Sequence, residues 1–131
     1  MKKEKTMDLY DLFENNMGTG VLSTANSEGE VNSAIYARPH IKGDLALFIC
    51  LQRKNFENLQ QNPHANYLFR IEGGGYDGVR LELLLQEVRE DEEEVESLRR
   101  RHTDTEEKEF VLVFKILKTH PLIGATCKEE I

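Results

Sequence analysis

Three basic side chains stand where an anionic group could bind. Arg53 and Lys54 follow a strongly apolar segment and open a stretch with helical spacing, and Arg38 lies near the end of an earlier segment with strand-like alternation. The first turn of a helix leaves backbone N–H groups without partners, and these groups favour a phosphate. Cations at that end destabilise a helix by about 0.3–1 kcal/mol each, which a bound anion would offset. From the residues alone, a phosphate site and a pair of solvated surface charges are both open.

No motif for catalysis or metal binding accompanies these cations. The sequence has no Gly-x-Ser-x-Gly nucleophile turn, no Walker-type phosphate loop and no His-Glu-x-x-His pair. The glycine run 73–75 is predicted as a flexible hairpin loop, because it does not connect a strand to a helix as a dinucleotide fingerprint does. The histidines are too far apart for a local zinc cluster; they are His40, His64, His102 and His120. We therefore predict no metal site, and no residue is assigned a catalytic role.

Length and composition indicate one domain. The 131 residues suffice for a single core, so residues 1–131 are treated as one unit. A net charge of −7 argues against DNA or RNA as a partner. No apolar run approaches the roughly 20 residues of a membrane span, and the charged N-terminus lacks the features of a signal peptide, so the predicted location is the cytoplasm, without membrane contact. In that reducing compartment Cys50 and Cys127 are expected as free thiols.

The elements that must position the cations are mostly strands. Apolar and polar residues alternate between turn-forming residues, and the short connections predict a mainly β (α+β) fold, an antiparallel β-barrel of about six strands with short flanking helices. The predicted strands are residues 21–26, 31–41, 45–51, 65–71, 79–88 and 110–118. The predicted helices are residues 6–17 with Thr6 as N-cap, 53–61, and 92–101 with Asp91 as N-cap. Pro39 indicates that its strand ends at an edge or a bulge.

Three segments, taken in order, carry a resemblance. Residues 20–39 read GVLSTANSEGEVNSAIYARP, residues 44–50 read DLALFIC, and residues 53–65 read RKNFENLQQNPHA. They are similar to the opening hairpin, the next strand and the following helix of the pyridoxamine 5′-phosphate oxidase-like family of FMN-binding split barrels. The match covers roughly residues 18–90. It implies a split β-barrel, FMN as cofactor and a homodimer whose interface helps to form the flavin site.

The resemblance also implies roles by position. The family strand that matches Ser33–Arg38 runs beside the isoalloxazine ring, and a basic residue at the place of Arg38 reaches the flavin phosphate. The strand end at Ile49 and Cys50 lines the ring, and the basic pair that follows it binds the phosphate. The cofactor-binding residues implied in this way are Ser33, Ala34, Ile35, Tyr36, Arg38, Ile49, Cys50, Gln52, Arg53 and Lys54.

Two of these residues have an alternative reading. Tyr36 could stack near the flavin or pack in the barrel wall, and the sequence does not choose between the two positions. Cys50 lies inside an apolar segment, which is more typical of a small buried hydrophobic residue than of a nucleophile.

Two departures separate this chain from the oxidase itself. Ser33 stands where the oxidase has a basic residue, and the arginine and tryptophan region that completes the oxidase substrate site has no counterpart in a sequence without tryptophan. The resemblance therefore implies an FMN-binding oxidoreductase of unknown substrate, with an unidentified small molecule or electron donor as partner. The alternatives are a non-enzymatic flavin carrier or redox sensor, a haem-utilisation protein on the same fold, and an interaction domain without cofactor.

Overall fold

The computed structural model describes residues 8–100 and 107–124, and these residues form seven strands and three short helices. In chain order the elements are α1 (Leu9–Asn15), β1 (Gly18–Ala25), β2 (Val31–Ile35), β3 (His40–Lys42), β4 (Leu45–Leu51), α2 (Lys54–Leu59), β5 (His64–Ile71), β6 (Gly78–Arg89), α3 (Glu92–Leu98) and β7 (Glu109–Pro121). None of the helices in the described ranges has the length and apolar character that crossing a membrane requires. Thr6, the predicted first N-cap, and Cys127 lie outside the described residues; Asp8 caps α1 instead.

The strands form one antiparallel sheet in the order β2-β1-β5-β6-β7-β4-β3. The sheet curls, so that side chains from every strand except β2 meet in one core. Its largest fully buried members include Tyr67, Phe48, Phe69 and Phe114, and α1 adds Phe13. The mainly β, antiparallel split barrel predicted from the sequence is confirmed.

The sheet has its split between β2 and β3, which are its two edges. The sequence predicted one strand over residues 31–41, but the chain leaves the sheet after Ile35 and re-enters at His40, which accounts for a seventh strand. Pro39 cannot donate to a ladder, so pairing does not continue through it. A side-chain contact spans the split instead: the Tyr36 hydroxyl lies 3.1 Å from Cys50 Sγ on β4.

Helix α3 explains why β4 and β7 read as almost continuously apolar. One face of each strand belongs to the core, and the opposite face packs under α3, where Val95 and Leu98 contact Leu47, Val111 and Val113. A strand that is covered on both faces has no solvent-exposed face, so its sequence lacks the polar residues that would otherwise alternate with the apolar ones. The boundaries predicted for β4 are therefore those observed, residues 45–51.

Gly20 lies where no side chain fits. A Cβ atom built at this position would lie 1.8 Å from the Tyr67 hydroxyl oxygen and 2.4 Å from ring carbon Cζ. Tyr67 cannot withdraw, because it is fully buried and its hydroxyl donates to the Tyr36 carbonyl at 3.1 Å.

Gly20→Ala is therefore expected to lower the free energy of unfolding by about 1–3 kcal/mol, the usual cost of overpacking. Chemical denaturation measures it. Thr19→Ala, at the exposed neighbouring position, is the control and should stay within about 0.5 kcal/mol of the wild type. Equal losses in the two variants would contradict the close approach.

Candidate functional site

A cavity of about 570 Å³ lies beside the split, between the end of β2, the outer face of β4 and the C-terminal end of α3. This volume is in the range of small-molecule sites. The lining residues are Asn32, Ser33, Ala34, Ile35, Tyr36, Ala37, Arg38, His40, Leu47, Ile49, Leu51, Arg53, Lys54, Asn55, Leu98, Arg99, Arg100, Glu107 and Glu109.

The floor of the cavity follows from the two-residue period of β4. Leu47, Ile49 and Leu51 face the cavity, whereas Phe48 and Cys50 face the core. Of the residues that the sequence singled out, the cavity wall includes Ser33, Ala34, Ile35, Tyr36, Arg38, Ile49, Arg53 and Lys54. Cys50 and Gln52 are not part of the wall. Their proposed contact with a cofactor stays a prediction, as do the roles of the others.

The end of the cavity beyond Leu51 is basic. Arg53 and Lys54 are exposed there, and Arg53 Nη2 lies 2.5 Å from Glu107 Oε1. Within the described residues Lys54 forms no ion pair. Arg99 also faces this end, but its guanidinium is bound to Glu109 at 2.9 Å. Helix α2 has six residues and begins one residue later than predicted, so the positive character comes chiefly from side chains rather than from a helix dipole.

At the other end of the cavity, two arginines form hydrogen bonds that hold the segment that follows β2 in place. Arg38 Nη1 donates to the carbonyl oxygens of Phe13 within α1 and of Asn16 just after α1, at 2.6 and 2.9 Å. Arg100 donates to the carbonyl oxygens of Arg38 (2.7 Å) and Pro39 (2.8 Å). We call these contacts the arginine clasp. One nitrogen of Arg38, Nη1, is thus hydrogen-bonded within the fold. The phosphate-binding role that the resemblance implies for Arg38 stays a prediction.

A buried amide joins α2 to the first two strands. Asn55 Oδ1 accepts hydrogen bonds from Thr24 Oγ1 (2.5 Å) and Asn32 Nδ2 (3.1 Å), and Asn55 Nδ2 donates to the Leu22 carbonyl (3.1 Å). Buried polar groups of this kind fix geometry because each unmade bond costs about 1–3 kcal/mol. The network holds the start of α2, and so Arg53 and Lys54, against the wall formed by β2.

Tyr36 and Cys50 are protonated at neutral pH. Burial raises the pKa of Cys50 to about 11, and burial together with the neighbouring Cys50 raises the pKa of Tyr36 well above its ordinary value of 10.0. The Tyr36 ring packs edge-on against Phe48, with centroids 6.2 Å apart. Tyr36 therefore packs in the barrel wall, with part of its surface on the cavity. At neutral pH neither side chain is in the ionised form that acts as a base or a nucleophile.

Several wall residues were missed by the sequence reading. Arg99 and Arg100 follow α3 and fell at the end of the predicted helix 92–101, while Glu107 and Glu109 were assigned no role from the sequence. Asn32 and Asn55 carry no local signal at all. Arg99, Arg100, Glu107 and Glu109 reach the cavity because the C-terminal end of α3 and the residues at the start of β7 lie beside it, and no short-range sequence pattern predicts that placement. No group of three His, Cys, Asp or Glu side chains in the described ranges is placed to hold a metal ion.

Comparison with known proteins identifies structures that share the fold of this chain. No family model and no curated protein matches the sequence. Solved structures do match. An FMN-binding protein from Syntrophomonas wolfei has a TM-score of 0.70 at 24% identity, over 89% of this chain and 85% of that one. A candidate pyridoxamine 5′-phosphate oxidase from Lactobacillus delbrueckii gives 0.65 at 16% identity, over 91% and 92%. The Group A Streptococcus protein HupZ gives 0.68 at 13% identity, over 93% and 94%.

The fold and the cavity thus define a small split barrel with a basic side pocket. The chain has the fold of the pyridoxamine 5′-phosphate oxidase-like split barrels, and the resemblance drawn from the sequence is confirmed at that level. At these identities the matches establish the fold alone.

One titrating group on the cavity wall gives a test of the local structure. His40 Nε2 donates to the Leu98 carbonyl at 2.7 Å, which sets the tautomer, and its Nδ1 lies 3.9 Å from Glu14. Burial lowers the pKa of His40 below its ordinary 6.5, in spite of the Leu98 carbonyl. Arg100 lowers the pKa of Glu14 below 4.5 through a hydrogen bond.

Stability should therefore fall as pH drops below about 6.5, because the unfolded chain takes up a proton on His40 before the folded chain does. The Glu14 contribution is lost only below 4.5. His40→Gln keeps a donor for Leu98 without titrating, so its melting temperature should fall less between pH of about 7.5 and 5.5 than that of the wild type. Above pH of about 7.5 the two profiles should run parallel. Equal acid sensitivity in the two proteins would contradict the buried, neutral His40.

Proposed function

We propose that the cavity binds FMN and that the protein is an FMN-dependent oxidoreductase of unknown substrate. The observation that carries this proposal is the pairing of an apolar floor with two solvent-reachable cations, Arg53 and Lys54, at one end of a cavity of about 570 Å³. That combination suits a ligand with an aromatic body and a terminal phosphate. The fold shared with an FMN-binding protein supports the same ligand.

The residues present fit FMN in the chemistry of their donors. A guanidinium such as that of Arg53 can hold a phosphate through two parallel N–H···O bonds, and the Lys54 ammonium adds a point charge. Elsewhere on the cavity wall, Ala34, Ile49 and Leu98 offer apolar surface to a ring system. The flavin would supply the electron-transfer chemistry, while the chain binds it, orients it and excludes water from it. This division of labour is consistent with a wall on which Tyr36 is protonated.

The absorption spectrum of protein purified without added ligand tests the proposal. Flavin bands support it. A Soret band would indicate the haem-utilisation alternative, and no visible band after incubation with FMN would leave an interaction domain without cofactor. Turnover with a reduced nicotinamide then separates an enzyme from a flavin carrier or redox sensor. The cytoplasmic location stays a prediction from the sequence.

Arg53→Ala should weaken FMN binding by about ten- to a hundredfold, the loss of one charge-assisted hydrogen bond worth roughly 1.5–3 kcal/mol. Riboflavin lacks the phosphate, so its dissociation constant should change little. Fluorescence titration measures both. Lys115→Ala is the matched control, because Lys115 is an exposed cation of β7 outside the cavity wall. Equal weakening of FMN and riboflavin would mean that Arg53 supports the ring site or the fold rather than the phosphate.

We also propose that the chain works as a homodimer, as the resemblance implies. The outer face of the sheet carries an apolar row across β2, β1 and β5, in which Ile35 pairs with Val21 and Val21 with Leu68. Ile35 is 69% exposed and Val31, on the same strand, 71%. Apolar rows of this kind on an edge of a sheet favour association. Because Ile35 also belongs to the cavity wall, a partner on this face would lie next to the ligand.

Leu68→Glu should shift the protein toward the monomer, because a carboxylate would be buried against the partner's apolar surface. Leu68 lies outside the cavity wall, so a direct loss of ligand contacts is avoided. Sedimentation at micromolar concentration reports the state, and Arg70→Glu, on the same face of β5 beyond the apolar row, serves as the control. A wild-type protein that sediments as a flavin-loaded monomer would overturn the dimer.

A further inference from the structure

Two carboxylates face the cations at the basic end of the cavity, and they are held in different ways. Glu109 grips Arg99 with both oxygens, at 2.9 and 3.1 Å, and the side chains are only 14% and 18% exposed. Glu107 contacts Arg53 at 2.5 Å, and these side chains are 51% and 65% exposed. Opening a largely buried two-point ion pair leaves uncompensated charges, whereas a solvent-exposed ion pair contributes little to stability. Of the two ion pairs, the one between Glu107 and Arg53 is the more exposed and leaves Arg53 the more accessible cation.

Arg53 therefore already has an anionic partner supplied by the chain. A phosphate that approaches Arg53 and Lys54 must replace the Glu107 carboxylate or share the guanidinium with it. Sharing is unfavourable, because two anions a few ångströms apart repel each other. Glu107 is itself a wall residue, so it cannot be remote from the ligand when the cavity fills.

We propose that Glu107 is a competing counter-ion of the phosphate site, which lowers the affinity for anions and favours doubly charged phosphate over singly charged carboxylate. The selectivity follows from charge: a dianion gains more from Arg53 and Lys54 than the displaced monoanion loses. This inference rests on the proposed function, since it assumes that the phosphate of FMN binds at these cations. It assigns Glu107 a role in specificity, not in catalysis.

The experiment compares FMN with riboflavin in Glu107→Gln and in Glu90→Gln. Glu90 is the matched control, since it forms a similarly exposed ion pair with Lys108, at 2.7 Å and 59% exposure of each side chain, outside the cavity wall. The measured quantity is the ratio of the riboflavin to the FMN dissociation constant. Glu107→Gln should raise this ratio by about two- to fivefold, and Glu90→Gln should leave it unchanged. Melting temperatures check that both variants are folded.

A double-mutant cycle makes the test specific to the pair. In an Arg53→Ala background the effect of Glu107→Gln should shrink, because the carboxylate no longer has that guanidinium to occupy. An unchanged ratio in Glu107→Gln, an equal rise in Glu90→Gln, or an undiminished effect without Arg53 would overturn the inference. A wild-type ratio near one would overturn the proposed phosphate site as well, so the two failures are distinguishable.

Discussion

The hydrogen bond from the buried Tyr67 hydroxyl to the Tyr36 carbonyl fixes the point at which the chain leaves β2. Tyr67 can reach that carbonyl because Gly20 offers no side chain in its path. The Tyr36 amide in turn donates to the Gly20 carbonyl at 3.0 Å, so the last pairing with β1 and the departure from the sheet are set by the same three residues. Beyond this point the chain runs outside the sheet until β3, and the gap between the two sheet edges β2 and β3 leaves room for the cavity.

The departing segment would be unstable without partners for its backbone. Carbonyl groups outside a ladder need donors, and the arginine clasp supplies them through Arg100 to residues 38 and 39. Arg38 does the same for the end of α1. Arginine suits this task because its planar guanidinium can donate hydrogen bonds to several acceptors at once and is always charged. Arg38 and Arg100 thus donate to backbone carbonyl groups at one end of the cavity, which leaves Arg53 and Lys54 as the wall cations that are most exposed to a ligand.

Prediction from the sequence succeeded where the determinant is local. The bounds of β4 follow from an unbroken apolar run, and Asp91 caps α3 because its side chain accepts from the next turn, as its position indicates. It failed where two distant segments decide the outcome. The break after Ile35 depends on Tyr67, more than thirty positions along the chain. Asn55 is held at the cavity wall by hydrogen bonds with Thr24 and Asn32. The hydrophobic periodicity of the sequence does not predict such contacts between distant polar side chains. The basic pair was found because it lies immediately after β4.

The protonation state of the titratable side chains at the cavity limits the chemistry that this site can perform without a cofactor. A thiol with a pKa of about 11 is almost entirely neutral near pH 7, and burial likewise raises the pKa of the Tyr36 phenol above its ordinary 10.0. His40 is held neutral with one nitrogen committed to the Leu98 carbonyl. General acid–base chemistry needs a group whose pKa lies near the operating pH and whose proton is free to move. Cys50 and Tyr36 do not meet that condition. The cofactor proposed above would supply the reactivity that these two residues lack, and the asymmetry of the cavity, apolar along β4 and cationic beyond it, would orient that cofactor.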